Sequence, residues 1–303
     1  MRATLEDAGR LLERRGRSGV YFVLFLHSLS ASGTHLVAKV VVNSIDAFTL
    51  TLIRSLIAFG GLSVVLLIRG KLPRVKRQDW PLVIVLSMLA VPVNQFLFLY
   101  GMKYTTPANA ALLYATTPIL VLLFSYRFLA ERLTRKKIYG VILAFVGVTF
   151  VIFERGLDAG MQYVYGNLVM SMAVVAWGLY TVYGKRLIAK YGPIESTILT
   201  LSIGTLMFIP IGIFPALRFP YESLSTANWF QIGYLGLITS VIAYLLWYYA
   251  LGRIEASKVA LFANLQPVLT AVLAFILLGQ DITGMFVVGG SLAICGVVLA
   301  QFG

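Results

Sequence analysis

Residues 108–128 read ANAALLYATTPILVLLFSYRF, with a single charge, Arg127, near the far end. A helix needs about 20 apolar residues to cross a bilayer. An isolated apolar strand of this length would leave its backbone polar groups unsatisfied in lipid. The stretch therefore reads as a membrane-spanning helix. Outward from it, comparable apolar runs cover 19–41, 46–68, 80–102, 137–153, 164–184, 194–216, 227–251, 257–278 and 283–302. Ten such spans with short connections need about 300 residues, which is the length of this 303-residue chain. The fold expected is all-α: a polytopic membrane protein of ten transmembrane helices. Composition agrees, with 59% hydrophobic and 12% charged residues and a mean hydropathy of +0.87. A soluble domain carries about 25% charged residues.

The net charge is +13. On a soluble protein that would point to nucleic acid, but here the basic residues sit in tails and connections, so no nucleic-acid partner is expected. Arg2, Arg10, Arg14, Arg15 and Arg17 lie before the first run. Further groups follow the second run (Arg69, Lys71, Arg74, Lys76, Arg77) and the fourth (Arg127, Arg132, Arg135, Lys136, Lys137). Lys185, Arg186 and Lys190 follow the sixth, and Arg253 and Lys258 the eighth. The alternate connections hold only Lys39, Lys103, Arg155 and Arg218, and Arg54 falls within a span. Cytoplasmic connections collect Lys and Arg, so both termini are expected in the cytoplasm. Arg14-Arg15 precedes a run long enough to cross the membrane, with more spans after it, so a cleaved signal is not expected. The one cysteine, Cys295, excludes an internal disulfide and reads as a small buried apolar residue.

The chain also repeats itself. Residues 100–152 shifted by 149 fall on 249–301 without a gap, and twelve of the 53 positions are identical. Tyr100 meets Tyr249, Pro118 meets Pro267, Thr134 meets Thr283, Gly140 meets Gly289, and Gly147-Val148 meets Gly296-Val297. Trp80 meets Trp229 at the same offset, and both read as interface anchors. Five spans per unit is an odd number, so the second unit enters the membrane from the opposite side. The organisation expected is a basic tail over 1–18, a first repeat over 19–155 and a second, inverted repeat over 160–303. Inverted repeats are a transporter architecture that holds substrate near the membrane midplane, and they give two states of similar energy for alternating access.

Several of these stretches resemble the drug/metabolite transporter superfamily in its EamA-type ten-helix branch. They are Tyr100-Gly-Met-Lys-Tyr-Thr-Thr-Pro-Ala-Asn-Ala-Ala-Leu-Leu with Thr117-Pro118, and Ala130-Glu131-Arg132-Leu133-Thr134 followed by Gly140 and Gly147. Arg54 in the second span and Trp177-Gly178 in the sixth match as well. Gln280 departs from the pattern, where the second half often carries a glutamate. The resemblance implies a carrier whose helices one, three, four, six, eight and nine line a central cavity, in a family that includes exporters of amino acids and carriers of other metabolites.

Polar groups inside a membrane are costly and default to functional hypotheses. The first span has His27, Thr34 and His35, which with Ala31 share roughly one helical face. Histidine can bind a carboxylate or pass a proton near neutral pH. It can equally serve as a hydrogen-bonded structural group, since polar residues also glue helices together. Asn94 and Gln95 follow Pro92, Asn264 and Gln266 precede Pro267, and Pro118 and Pro267 are candidate kinks at matched positions. Tyr114, Trp177, Tyr180, Tyr244, Trp247 and Tyr248 are candidate aromatic walls, with helix packing as the competing reading. Arg54 and Lys258 are candidate charge or gating residues.

All twelve acidic residues fall in tails, connections or span ends. A bare organic cation or a carboxyl proton relay would call for a midmembrane carboxylate, so an anionic or zwitterionic substrate such as an amino acid is favoured. There is no G-x-x-x-x-G-K phosphate loop, no catalytic constellation and no Cys/His metal cluster. No cofactor or metal is expected, nor enzymatic activity. The partners expected are a small-molecule substrate and membrane lipids, around a monomer in a prokaryotic cytoplasmic (inner) membrane. The function expected is secondary export of amino acids or related small metabolites. The alternatives are a carrier of phosphorylated, sugar-linked or drug-like amphipathic solutes, and more remotely a membrane-embedded enzyme or lipid-binding scaffold.

Overall fold

The computed structural model describes residues 19–70, 74–154, 161–278 and 284–303, and among them all regular secondary structure is helical. The tail 1–18, Lys71, Arg155, Gln280 and Thr283 lie outside the described residues. Helix α1 spans Gly19–Val41, α2 Ala47–Arg69, and α3 Arg77–Lys103. Helix α4 is Pro107–Ala115 continued by Thr117–Leu129, and α5 is Arg135–Glu154. Then come α6 (Val164–Tyr191), α7 (Pro193–Arg218) and α8 (Thr226–Leu251). Helix α9 is Ala256–Ala260, a tight turn over Leu261–Asn264, and Leu265–Leu278. The last, α10, is Gly284–Gln301. Seven helices of the described residues (α1, α2, α3, α4, α6, α7 and α8) are long and apolar enough to cross a membrane.

Ends are set by local chemistry. The Asp46 carboxylate accepts from the backbone N–H groups of Phe48 and Thr49, filling two of the donors that the start of α2 leaves open. Ser225 and Asn228 form a reciprocal capping box at the start of α8. Gly192, at φ +85, turns α6 directly into α7. Helix α6 runs to Tyr191, so Lys185, Arg186 and Lys190, expected in a connection, lie on its last two turns. Their charged heads bond to protein acceptors at the bundle end: Lys185 to Glu131 and the Ile254 carbonyl, Arg186 to the Phe128 carbonyl and Lys190 to Asp79. Cys295, expected to be buried, is exposed on α10: for an integral membrane protein an apolar surface meets lipid, so apolarity does not imply an interior position.

Helices α5 and α10 pack backbone to backbone. A Cβ on Gly140 would meet the Gly296 carbonyl oxygen at 2.6 Å, and one on Gly147 would meet the Gly289 carbonyl oxygen at 2.5 Å. A Cβ on Gly296 would meet Ala144, and one on Gly147 also Ala293. Small residues of this kind are how lipid-embedded helices approach closely.

Among the described residues five helices are interrupted. Helix α3 is π-helical over Leu89–Gln95, around Pro92, and α8 over Tyr234–Ile242. Helix α4 breaks at Thr116, just before Pro118, and α9 over Leu261–Asn264, just before Pro267. A fifth break, at Gly33 in α1, is held by neighbours: the Tyr234 hydroxyl donates to the Ser30 carbonyl (2.6 Å). π-Bulges and broken helices concentrate at functional sites.

One end of the bundle, where α2, α4 and α6 finish, is tied by ion pairs joining residues before 155 to residues after 160. They are Arg69–Glu195 (2.8 Å), Lys137–Glu255 (2.5 Å), Lys185–Glu131 (3.4 Å) and Lys190–Asp79. Glu131 also accepts from the backbone N–H groups of Ala256 (2.7 Å) and Ser257 (3.2 Å) and from the Ser257 hydroxyl (2.6 Å), capping the start of α9. Partial burial alone would raise the Glu131 carboxyl. The Ser257 hydroxyl, the Lys185 charge and the two backbone donors together outweigh it and hold the group below the ordinary glutamate range.

Candidate functional site

The interruptions converge on a cavity with about 100 Å³ of free space. Helix α1 contributes His27, Ala31, Thr34 and His35, so the face read from sequence does turn inward as a unit. Helix α3 contributes Asn94, Gln95 and Phe98, and α4 contributes Ala111, Tyr114 and Ala115. Trp177 enters from α6, Thr239, Ala243 and Tyr244 from α8, and Ala263, Gln266 and Pro267 from α9. Arg54 reaches in from α2.

Arg54 is 4% exposed and is the one formally charged residue among the described lining residues, leaving the two histidines aside. Its Nε donates to the Ser240 hydroxyl (2.8 Å) and its Nη2 to the Thr239 hydroxyl (3.2 Å). Both hydroxyls donate in turn to the Leu235 carbonyl, within the π-helical turn of α8. The bulge thus explains the arrangement: one backbone oxygen takes two hydroxyl hydrogens, and the freed lone pairs face the guanidinium. These are neutral acceptors, and among the described residues no carboxylate bonds to Arg54. The polar pair Thr239-Ser240 was not among the residues selected from sequence. Its signal was present, as two adjacent hydroxyls in an otherwise apolar run.

Asn94 organises the opposite wall. Its Nδ2 donates to the Tyr114 hydroxyl (3.0 Å) and to the Ala173 carbonyl (2.8 Å), and the Tyr244 hydroxyl approaches its Oδ1 at 3.4 Å. His27 holds the Ala243 carbonyl through Nδ1 at 2.9 Å, which makes Nδ1 the protonated nitrogen because a carbonyl only accepts. Its ring lies 4.7 Å from that of Trp247. His35 sits edge-on to Phe98 and Tyr114 at 5.6 and 5.5 Å, and its Nε2 has no hydrogen-bond partner among the described residues.

Tyr180, Trp247 and Tyr248, also selected from sequence, form a row behind the cavity wall, towards the ion-paired end. Tyr180 stacks on Tyr248 at 5.0 Å, Trp177 on Tyr180 at 5.7 Å, and Trp247 donates to Thr181 (3.2 Å). All three are fully buried, so the row closes this side of the cavity. Asn264 is buried in the broken turn of α9 with neither amide atom hydrogen-bonded. Pro118 is buried in α4 and does not line the cavity, whereas Pro267 does. Lys258 lies at the end of the bundle, bonded to the Gln301 carbonyl (3.1 Å), and does not line the cavity either.

The EamA-like transporter family matches residues 18–153 and again 164–302. A protein named uncharacterized transporter YyaM, from Bacillus subtilis, is 32% identical over 220 residues, 72% of each chain. A probable terminal-alkyne amino-acid exporter from Streptantibioticus cattleyicolor is 28% identical over 75% of this chain and 74% of its own. One solved crystal structure, 21% identical in sequence, has a TM-score of 0.78 and covers 94% of this chain and 96% of that one. At that identity the likeness speaks to the fold.

Proposed function

The chain belongs to the EamA-like transporter family, and from that premise we propose that it is a secondary carrier of carboxylate-bearing small metabolites, amino acids or their relatives. It is an integral membrane transporter and not an enzyme. Export from the cytoplasm by alternating access is the reading proposed. The observation that carries the substrate class is Arg54, a buried guanidinium in the cavity wall whose hydrogen-bond partners among the described residues are neutral. A ligand carboxylate supplies the missing counter-charge, and a bidentate guanidinium–carboxylate pair also fixes orientation. The aromatic wall of Trp177 and Tyr244 suits an apolar side chain on the same ligand. The amino-acid exporter among the relatives is in keeping with this class.

The proposed architecture is ten spans in two inverted repeats, 19–155 and 160–303, in a monomer with both termini on the cytoplasmic side of a prokaryotic inner membrane. The reciprocal contacts between α5 and α10 support it. With the offset of 149, Gly140 corresponds to Gly289 and Gly147 to Gly296. The contact Gly140–Gly296 then maps onto Gly289–Gly147, as a two-fold axis between the repeats requires. The π-helical turns of α3 and α8 overlap at the same offset.

Proteoliposomes loaded with a panel of amino acids and short carboxylates test the function. Counterflow of at least one carboxylate is expected, and none for any of them removes the substrate class. The carrier of phosphorylated solutes asks for a second cation facing the ligand, and Lys258 does not line the cavity.

A further inference from the structure

The cavity's charge balance goes further than the presence of a carboxylate. We propose that it selects ligands of net charge −1, so that a monocarboxylate with no ammonium group binds more tightly than the zwitterionic amino acid of the same shape. This rests on the transport-site reading above and deepens it.

Arg54 contributes one positive charge to the wall, and no described lining residue is acidic. The two histidines leave that sum unchanged when neutral and increase it when protonated, so the empty cavity is never less than singly positive. Five of the described carboxylates that flank the lining helices are engaged: Asp46 caps the start of α2, and four others lie at the ion-paired end. Asp79 holds Lys190 and Tyr191, Glu131 caps α9, Glu195 holds Arg69, and Glu255 holds Lys137. None is free to turn towards a ligand without giving up a partner.

An uncompensated charge out of water is expensive, whereas a matched pair recovers much of the cost through attraction and hydrogen bonds. A monoanion on Arg54 leaves site plus ligand neutral. A zwitterion brings no net charge, so the site stays positive, and its ammonium lies within a few ångströms of the guanidinium where like charges repel. The ammonium must also exchange water for neutral acceptors such as the Gln95 amide oxygen or the lone pair of His27 Nε2. Such bonds are weaker than a charged pair. The chemical class indicated is an apolar or aromatic monocarboxylate: a 2-oxo acid, a 2-hydroxy acid or an N-acylated amino acid.

The test uses five probes of one shape on the full chain in detergent, read by thermal stabilisation as a function of concentration. They are 3-phenylpropanoate, phenylpyruvate, N-acetylphenylalanine, phenylalanine and phenethylamine. The three monoanions are expected to bind at least tenfold more tightly than phenylalanine, and phenethylamine to give no shift. Phenylalanine binding as tightly as the monoanions overturns the charge rule while leaving a carboxylate carrier in place. Phenethylamine binding with no carboxylate doing so overturns both. No shift with any probe at millimolar concentration also overturns the rule. In Arg54→Gln the preference for monoanions over phenylalanine is expected to fall to threefold or less. A preference unchanged in that variant overturns the role of Arg54. The wild-type series decides the charge rule even if the variant does not fold.

Discussion

The Tyr234 hydroxyl donates a 2.6 Å hydrogen bond to the Ser30 carbonyl, across from α8 to α1, where α1 breaks at Gly33. A Cβ on Gly33 would meet that same hydroxyl at 2.9 Å. One tyrosine therefore both satisfies the carbonyl released by the break and fills the space that the glycine leaves. The two cavity residues of the second half of α1, Thr34 and His35, follow directly.

Tyr234→Phe removes the donor and strands a carbonyl inside the bundle. A loss of about 1 kcal/mol in stability is expected, read as a fall in the thermal midpoint in detergent. Transport per folded molecule should fall more steeply than stability, because the position of His35 depends on the break. A variant with wild-type transport kinetics would show that the break does not position the cavity face.

Gly147→Ala places a methyl group against the backbone of α10, against the Ala293 nitrogen, 2.5 Å from the Gly289 carbonyl oxygen and 2.9 Å from the Leu292 carbonyl carbon. Overpacking of this kind costs about 1–3 kcal/mol, so a smaller monodisperse fraction on size exclusion is expected. Gly60→Ala adds a methyl group that meets nothing within 4 Å. It should be neutral or stabilising by roughly 0.5 kcal/mol, as alanine favours the helix.

Glu131→Gln keeps the shape and removes the charge. The folded carboxyl is held below the ordinary value of 4.5. Its contribution to stability is therefore fully present above that value and is lost as pH falls through the lowered one. Wild type should melt higher than the variant at pH 7, and the gap should close on acidification below the ordinary glutamate range. A gap that stays constant across that window would assign the effect to shape alone.

His35→Ala and Ser28→Ala separate two kinds of polar residue on α1. The Ser28 hydroxyl donates to the Phe262 carbonyl (2.8 Å) in the broken turn of α9, so its loss should lower the thermal midpoint with modest effect on transport. Among the described residues His35 has no bond partner through Nε2, and it lines the cavity, so its loss should cut transport severalfold at nearly unchanged stability. Equal transport in the two variants would remove a special role for His35.

Much of this molecule is legible in its sequence because lipid leaves few choices. A run of apolar residues must become a helix, and the helices begin and end within a few residues of the apolar runs, α6 excepted. There the polar extension from Lys185 to Tyr191 stays helical because its charges sit at the bundle end, paired with Glu131 and Asp79. The inward face of α1 and the inward reach of Arg54 were also readable, since polar groups turn away from lipid. What the sequence hides is phase. Two π-helical turns rotate α3 and α8, and the one in α8 has no proline to mark it. That rotation accounts for Thr239 lining the cavity and for Trp247 and Tyr248 lying behind it. The break at Gly33 was equally hidden, because its partner Tyr234 lies 201 residues away in the chain.

The glycine contacts between α5 and α10 constrain how this protein can change. Gly140 faces Gly296 and Gly147 faces Gly289, so one seven-residue spacing is used from both sides. Bulk added to one flank has to be matched by room on the other, and a shift of register in either helix separates both contacts at once. The two helices are therefore bound to drift together. Adaptation to a new cargo has to be written elsewhere, in the walls contributed by α1, α2, α3, α4, α6, α8 and α9.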